Sequence, residues 1–129
     1  MKPQLLHRRR LLQALLLPAA AALAGCATTA SPEADRAALL QRARAFWQVV
    51  QANDGPAAWT YEELSKKPGW TLQAYLKREG ITYNDAQVQD VVSLEGDKAV
   101  VAVKINYSIP LLRMNDQNVL LQDEWVRID

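Results

Sequence analysis

The sequence predicts an α+β domain in which helices come first and an antiparallel sheet follows. Three observations support this fold class. Apolar residues recur at three- and four-residue spacing after residue 31, as they do in an amphipathic helix. After Gly80 the apolar period changes from 3.6 to 2, which is typical of strands. Short polar turns separate the strand candidates, and such turns join antiparallel neighbours.

The first helix is predicted to begin at Ser31, whose hydroxyl caps it, with Pro32 in the first position and Glu33 in the first turn. It runs for about 20 residues and ends at residues 53–56. Its apolar stripe is expected to face the core, with the lining of a ligand pocket as the alternative. The stripe consists of Leu39, Leu40, Ala43, Phe46, Trp47 and Val50.

A second helix is predicted to begin at Pro56, with Asp54 or Gly55 as its cap, and to end at residues 66–69. Its apolar bulk comes from Trp59, Tyr61 and Leu64.

A third, short helix is predicted after Thr71, which caps it. Lys77 and Arg78 fall in its expected last turn, and Gly80 falls at the expected left-handed cap.

Three strands are predicted, over residues 87–94, 99–109 and 119–128, with a hairpin turn at 95–98 and a polar loop at 113–118. The middle strand alternates most clearly and ends at Pro110. One of its faces is bulky and is expected to face the core. That face consists of Val101, Val103, Ile105, Tyr107 and Ile109.

The first 25 residues have the layout of a secretory signal peptide. A basic head with Arg8, Arg9 and Arg10 precedes an apolar run at residues 11–23. This run is too short for the ~20 residues that a membrane-spanning helix needs. The alternative, a short buried helix, fits the three arginines poorly.

The tetrapeptide Leu23-Ala24-Gly25-Cys26 resembles the bacterial lipobox at all four positions. The resemblance implies that the thiol of Cys26 receives a diacylglycerol, that the chain is cleaved before it, and that the new amine is acylated. Cys26 is the only cysteine, so it has no disulfide partner within the chain. Ordinary cleavage near Ala30 is the alternative.

Two further features concern export and sorting. The run Arg8-Arg9-Arg10-Leu11-Leu12 partly resembles a twin-arginine signal, so export by either the general or the twin-arginine route stays open. Ala27 follows Cys26, at the position where an aspartate would be needed for retention in the inner membrane. By resemblance to lipoproteins of two-membrane bacteria, the expected location is the outer membrane, facing the periplasm.

Removing residues 1–25 from the 129 leaves a mature chain of 104 residues, enough for one domain. Residues 26–32 would form the lipidated cysteine and a short tether, and residues 33–129 the domain. Residues 1–25 hold four of the 15 Lys and Arg residues and no Asp or Glu, so the mature chain carries a net charge of −3. This net charge does not favour binding to nucleic acid.

The only histidine, His7, lies in the signal segment. The mature chain therefore has no histidine and no free thiol. This excludes catalysis by Ser-His-Asp or Cys-His groups and metal sites that need nitrogen or sulfur ligands. No cofactor and no metal are expected.

From residue 34 onward the chain resembles the NTF2-like superfamily, in which helices pack on a curved antiparallel sheet to form a cone. The features that carry the resemblance are Asn53-Asp54 at the end of the long helix, Trp59 and Tyr61, Thr71-Leu72 with Tyr75, the strand from Val101 to Tyr107, and Asp123-Glu124-Trp125-Val126. Such chains usually continue through a glycine turn into a last strand. Either the sequence is a fragment or its sheet is one strand short.

NTF2-like proteins include isomerases and dehydratases as well as binding modules, so this fold does not decide function. The enzyme hypothesis requires a carboxylate or tyrosine in the apolar interior, for which Tyr107, Asp123 and Glu124 are the candidates. Both faces of the last strand are mixed, so either acid can be the buried one. The sequence favours a non-catalytic domain that binds a small ligand, an envelope protein or a second copy of itself.

Overall fold

The computed structural model describes residues 31–78 and 80–128; the signal segment and the lipobox lie outside the described residues. The described chain is α+β, as predicted. Helices α1 (Pro32–Gln51), α2 (Gly55–Trp59) and α3 (Leu72–Leu76) precede an open antiparallel sheet. Its strands are β1 (Thr82–Glu95), β2 (Lys98–Ile109) and β3 (Met114–Val126), in the order β1-β2-β3.

Helix α1 forms as its sequence predicts. The hydroxyl of Ser31 accepts a hydrogen bond from the backbone N–H of Ala34 at 3.1 Å, with Pro32 in the first turn. Ala43 and Trp47 from the apolar stripe are buried. They meet Val101 and Val103 of β2, which are fully buried, so the core lies between α1 and the central strand.

The predicted second helix is broken into two pieces. Asp54 is its cap and accepts from the N–H of Ala57, but α2 ends at Trp59. The hydroxyl of Thr60 donates to the carbonyl of Ala57 at 2.7 Å, an alternative to continued helical bonding. A separate 3₁₀ turn follows at Glu63–Lys66.

The third helix has the predicted cap, because the hydroxyl of Thr71 accepts from the N–H of Ala74. The prediction for its end was wrong. The helix stops at Leu76, so Lys77 is the residue that flanks it and Arg78 lies in the turn beyond. Gly80 does not adopt the left-handed conformation. Lys77 ends the helix in right-handed geometry, so no left-handed residue is required there.

Two strands begin earlier than predicted. Strand β1 begins at Thr82 rather than residue 87, and β3 begins at Met114, so the loop predicted at 113–118 was wrong for all but its first residue. Polar side chains on these extensions bond across the strands: Asn84 donates to Asn106 at 2.7 Å, and Asn106 donates to Asn118 at 3.0 Å. Strand β3 also ends at Val126, two residues before the predicted end.

The central hairpin follows the prediction closely. Glu95 pairs with Lys98 around a tight turn, in which Gly96 takes a positive φ of 58° that glycine adopts without strain. Val101, Val103 and Ile105 are buried, and Lys104 on the other face is exposed. Tyr107 and Ile109, which were expected in the core, are only half-buried near the end of the strand.

Helix α1 runs along the sheet with its ends fixed by polar contacts. Asp35 in its first turn forms an ion pair with Arg127 at 3.1 Å, just beyond β3. Gln51 in its last turn donates to Asp85 of β1 at 3.4 Å. Helix α1 therefore has polar contacts with β1 and with the residue that follows β3.

Candidate functional site

Of the two adjacent acids on β3, Asp123 and Glu124, it is Asp123 whose side chain lies on the face toward α1. It is directly opposite Val101 of β2, whose side chain lies in the core. Its Oδ2 accepts a hydrogen bond from Nε1 of Trp47 at 3.0 Å and another from Nε1 of Trp125 at 2.9 Å. Glu124, one residue on, is exposed on the other face.

Two opposing effects set the charge of Asp123. Burial raises the pKa of its carboxyl above the usual 3.8, because a charge is poorly solvated there. The hydrogen bonds from Trp47 and Trp125 favour the ionised form and act in the opposite direction. Burial is the larger effect, so this acid keeps its proton to a higher pH than an exposed aspartate does.

Aromatic rings surround this carboxylate. Phe46 contacts Trp47 and Trp125 edge-on, with ring centroids 5.4 and 5.8 Å apart. Trp47 contacts Tyr83 of β1 in the same manner at 5.4 Å. At these separations the rings are in contact with one another; Trp47 is buried, and Phe46, Tyr83 and Trp125 are half-buried beside the core. The carboxylate joins α1 to β3 inside that packing.

A second polar group lies next to these rings. The hydroxyl of Tyr75 on α3 donates to Oε1 of Glu62 at 3.1 Å. Burial is the main cause that raises the pKa of Tyr75 to about 12, and the charge and hydrogen bond of Glu62 add to it. The pKa of Tyr83 is also raised, by burial first and then by the negative charges of Asp123 and Glu62. Tyr83 therefore lies within electrostatic range of both acids.

Tyr107, the third candidate, does not join Asp123. Its cross-strand partner on β3 is Gln117, whereas Asp123 is opposite Val101. Tyr107 lies six positions beyond Val101 on β2, which is about 20 Å along a strand. The structure thus brings Asp123 together with indole donors and does not assemble the three sequence-predicted residues into one site.

Sequence reasoning placed Asp123 on one face with Leu121 and Trp125 but did not predict the hydrogen bonds from Trp47 and Trp125. Trp47 was assigned only to the apolar stripe, and its use as a donor depends on a residue 76 positions away. A local signal did exist for Trp125. Residues two apart on a strand share a face, so Asp123 and Trp125 had to lie side by side. Tyr83, Tyr75 and Glu62 gave no comparable signal.

Two open grooves lie elsewhere on the surface. One, of about 430 Å³, runs between the start of α1 and the end of β1; the other, of about 340 Å³, crosses the face of the sheet away from α1. None of Tyr107, Asp123 and Glu124 lines either groove. Within residues 31–78 and 80–128, no three acidic, histidine or cysteine side chains cluster as metal ligands.

No helix in the described part of the chain is long and apolar enough to cross a membrane. Leu23, Ala24, Gly25 and Cys26 fall outside the described residues, so the anchor stays a sequence prediction.

No protein-family model matches the chain, and no curated protein or solved structure matches it significantly.

Proposed function

We propose that the protein is a lipid-anchored component of the bacterial cell envelope whose NTF2-like domain binds a partner without catalysing a reaction. The anchor rests on Leu23-Ala24-Gly25-Cys26, which supplies a cleavage site and one acylated cysteine. Several acyl chains at one residue give stable attachment, because each buried methylene adds about 0.8 kcal/mol. The domain then faces the periplasm on a tether of a few residues.

The α+β architecture supports the assignment to the NTF2-like class. A long amphipathic helix packs on an antiparallel sheet, and its stripe meets the central strand in the core. The sheet of the described residues is open and has three strands in the order β1-β2-β3.

The environment of Asp123 carries the non-catalytic part of the proposal. One of its oxygens accepts from both Trp47 and Trp125, and Phe46 is in contact with both of these rings. A catalytic base needs a free lone pair aimed at a substrate within hydrogen-bond reach. The two indole donors meet Oδ2 of Asp123 and join α1 to β3, and Asp123 lines neither of the two open grooves.

Replacing the anchoring thiol tests the proposed location. Cys26→Ser removes the only acylation site in the chain, so the variant should appear in the soluble fraction, whereas the wild-type protein should stay with membranes after a carbonate wash. Retention of the variant in washed membranes would refute the anchor. Crosslinking in intact envelopes, followed by purification of the protein, then identifies what the domain contacts.

One observation favours an alternative, a carboxylate-dependent isomerase or dehydratase. The raised pKa of Asp123 is the kind of shift found in catalytic acids. Asp123→Asn keeps an oxygen acceptor for the indoles and removes the acid. If the variant recovers the same crosslinked partner as the wild type, the binding role does not depend on the acid.

A further inference from the structure

A tight loop between β2 and β3 carries two adjacent leucines that are largely exposed. Ile109 of β2 is paired with Met114 of β3, and the four residues between them form what we call the leucine loop (residues 110–113). In this loop Leu111 is 87% exposed and Leu112 is 64% exposed. The loop joins two described strands, so its exposure does not depend on what pairs with the outer edge of β3.

Hydrogen bonds close the leucine loop. Pro110 begins a 3₁₀ turn that ends at Leu112, and the N–H of Arg113 donates to the carbonyl of Pro110 at 3.0 Å. Arg113 then turns the chain back toward β3 with a left-handed φ of 55°. At the base of the loop, the hydroxyl of Ser108 accepts from the N–H of Asp116 at 3.2 Å. The two leucines are left at the apex of this turn.

One more apolar side chain and several basic ones lie at the same end of the domain. Ile81, which is 48% exposed, directly precedes β1, whose first pair with β2 lies next to the loop. Three exposed cations lie nearby in the chain: Lys77, Arg78 and Arg113. Within the described residues none of the three forms an ion pair. Residues 77–81 and 110–116 together hold three basic and two acidic residues, so the local charge is positive although the mature chain is acidic.

The leucine loop and the start of α1 lie at opposite ends of the sheet. Asp35 in the first turn of α1 is paired with Arg127, whose N–H donates to the carbonyl of Asp97 in the turn before β2. The loop follows the other end of β2, which has 12 residues and spans about 40 Å. The domain therefore begins at one end and exposes its two leucines at the other.

The small size of the leucine loop argues against a protein as its occupant. Two leucine side chains and their neighbouring atoms bury on the order of a few hundred Å², whereas specific protein interfaces bury about 1,200 Å² or more. The loop lines neither of the two open grooves, so no adjoining concavity enlarges the contact. Two copies in contact through their loops would also bring Arg113 of each chain together, which is unfavourable.

A lipid surface matches the loop in both size and chemistry. Insertion needs no matching surface, because each apolar group that leaves water contributes separately, and basic residues beside it meet anionic headgroups. Pro110 has no N–H, and the N–H of Arg113 already has an acceptor. Fewer backbone donors must therefore lose water when the loop meets lipid, which lowers the cost of the contact.

We propose that the leucine loop is a second membrane contact, in which Leu111 and Leu112 enter the surface of an anionic bilayer and the neighbouring cations face its headgroups. The inference rests on the proposed function at one point, since the acylated Cys26 brings the membrane within reach. Because the anchor makes the second contact effectively intramolecular, weak insertion is enough to maintain it. The domain then lies along the membrane and is held at both of its ends.

A photoreactive residue at the apex identifies what the loop contacts. A diazirine analogue of leucine replaces Leu111 in the full chain, which is isolated from whichever cell fraction contains it and combined with vesicles of phosphatidylethanolamine and phosphatidylglycerol. Illumination should give a lipid adduct, detected by mass spectrometry. Its yield should be at least about tenfold higher than with the same analogue at Lys104 on the sheet or Gln48 on α1, both of which are exposed. Omitting phosphatidylglycerol should lower the yield several-fold.

Matched variants connect the adduct to the loop. Leu112→Ser should lower the lipid adduct at residue 111 several-fold, because it removes half of the inserted apolar surface. Val92→Ser removes a similarly exposed apolar side chain from β1 and should leave the yield within about twofold. Absence of the lipid adduct overturns the proposal, as do equal yields at Lys104 or Gln48. An adduct to a protein at residue 111 in intact envelopes also overturns it.

The anchor is tested separately, by the release of Cys26→Ser from washed membranes. An anchored protein that gives no lipid adduct at residue 111 overturns the second contact alone. A lipid adduct at residue 111 in a protein that is not anchored overturns the anchor alone.

Discussion

The indole N–H of Trp47 on α1 donates a 3.0 Å hydrogen bond to the carboxylate of Asp123 on β3, across 76 positions of sequence. Trp125 donates to the same oxygen at 2.9 Å. This contact joins the first helix to the last strand, the two most distant elements of the described chain. It also places an ionisable group among aromatic rings, so it links the stability of the domain to pH.

The acceptor at residue 123 should be required for stability. Asp123→Leu fills a similar volume but leaves the buried indole N–H of Trp47 without a partner, at a cost of about 1–3 kcal/mol. Glu124→Leu is the matched control, since that side chain is exposed, and should change the free energy of unfolding by no more than about 0.5 kcal/mol. Urea melts of both variants give the comparison. Equal losses would show that the indole bonds contribute nothing.

The same residue gives a pH dependence of known sign. Burial raises the pKa of Asp123 in the folded state above 3.8, so its contribution to stability is fully present below that value and is lost as pH rises through the raised pKa. Asp123→Asn cannot ionise and keeps an oxygen for the indoles. Relative to this variant, the wild-type protein should lose free energy of unfolding as pH rises from below 3.8 through the raised pKa of Asp123. Urea melts of both proteins at a series of pH values measure this difference. If the wild type instead gains free energy of unfolding relative to Asp123→Asn as pH rises, the prediction is wrong.

The sequence predicts features whose causes are local. The caps at Ser31, Asp54 and Thr71 form as expected, because each bond joins residues three apart. The hairpin at Gly96 depends on one tight turn and likewise forms as predicted.

Features that depend on distant pairing were not predictable in the same way. A period of 2 shows that Leu121, Asp123 and Trp125 share a face but does not say which face is buried. That choice depends on the register of β3 with β2 and on Trp47. The polar start of β3 reads as a loop until Asn106 is seen to donate to Asn118 across the sheet.

The proposed lipid anchor leads to a prediction about membrane sorting that depends on one residue. Ala27 follows Cys26, and by resemblance to other lipoproteins this position carries no signal for retention in the inner membrane. The protein should therefore separate with the outer membrane on a sucrose gradient, and Ala27→Asp should move it to the inner membrane. Ala27→Ser is the control for a change of size and polarity at this position. Recovery of the wild-type protein with the inner membrane would contradict the outer-membrane assignment.

The two faces of β2 should differ sharply in their contribution to stability. Ile105 is only 7% exposed and packs in the core cluster with Val103, whereas its neighbour Lys104 is exposed on the other face. Ile105→Ala removes buried methylenes and leaves a cavity, a change that costs about 2–5 kcal/mol. Lys104→Ala should stay within about 0.5 kcal/mol as a surface change.

A small domain is stable by only about 5–15 kcal/mol, so Ile105→Ala should bring the protein close to unfolding. Urea melts of the two variants decide the matter, with circular dichroism to confirm that each one still folds in the absence of denaturant. If Ile105→Ala is already unfolded, Ile105→Val removes a single methylene at a typical cost of about 0.5–1.5 kcal/mol and keeps the comparison measurable. A greater loss at Lys104 than at Ile105 would mean that the strand buries its other face, and the packing of α1 against β2 would then be wrong as well.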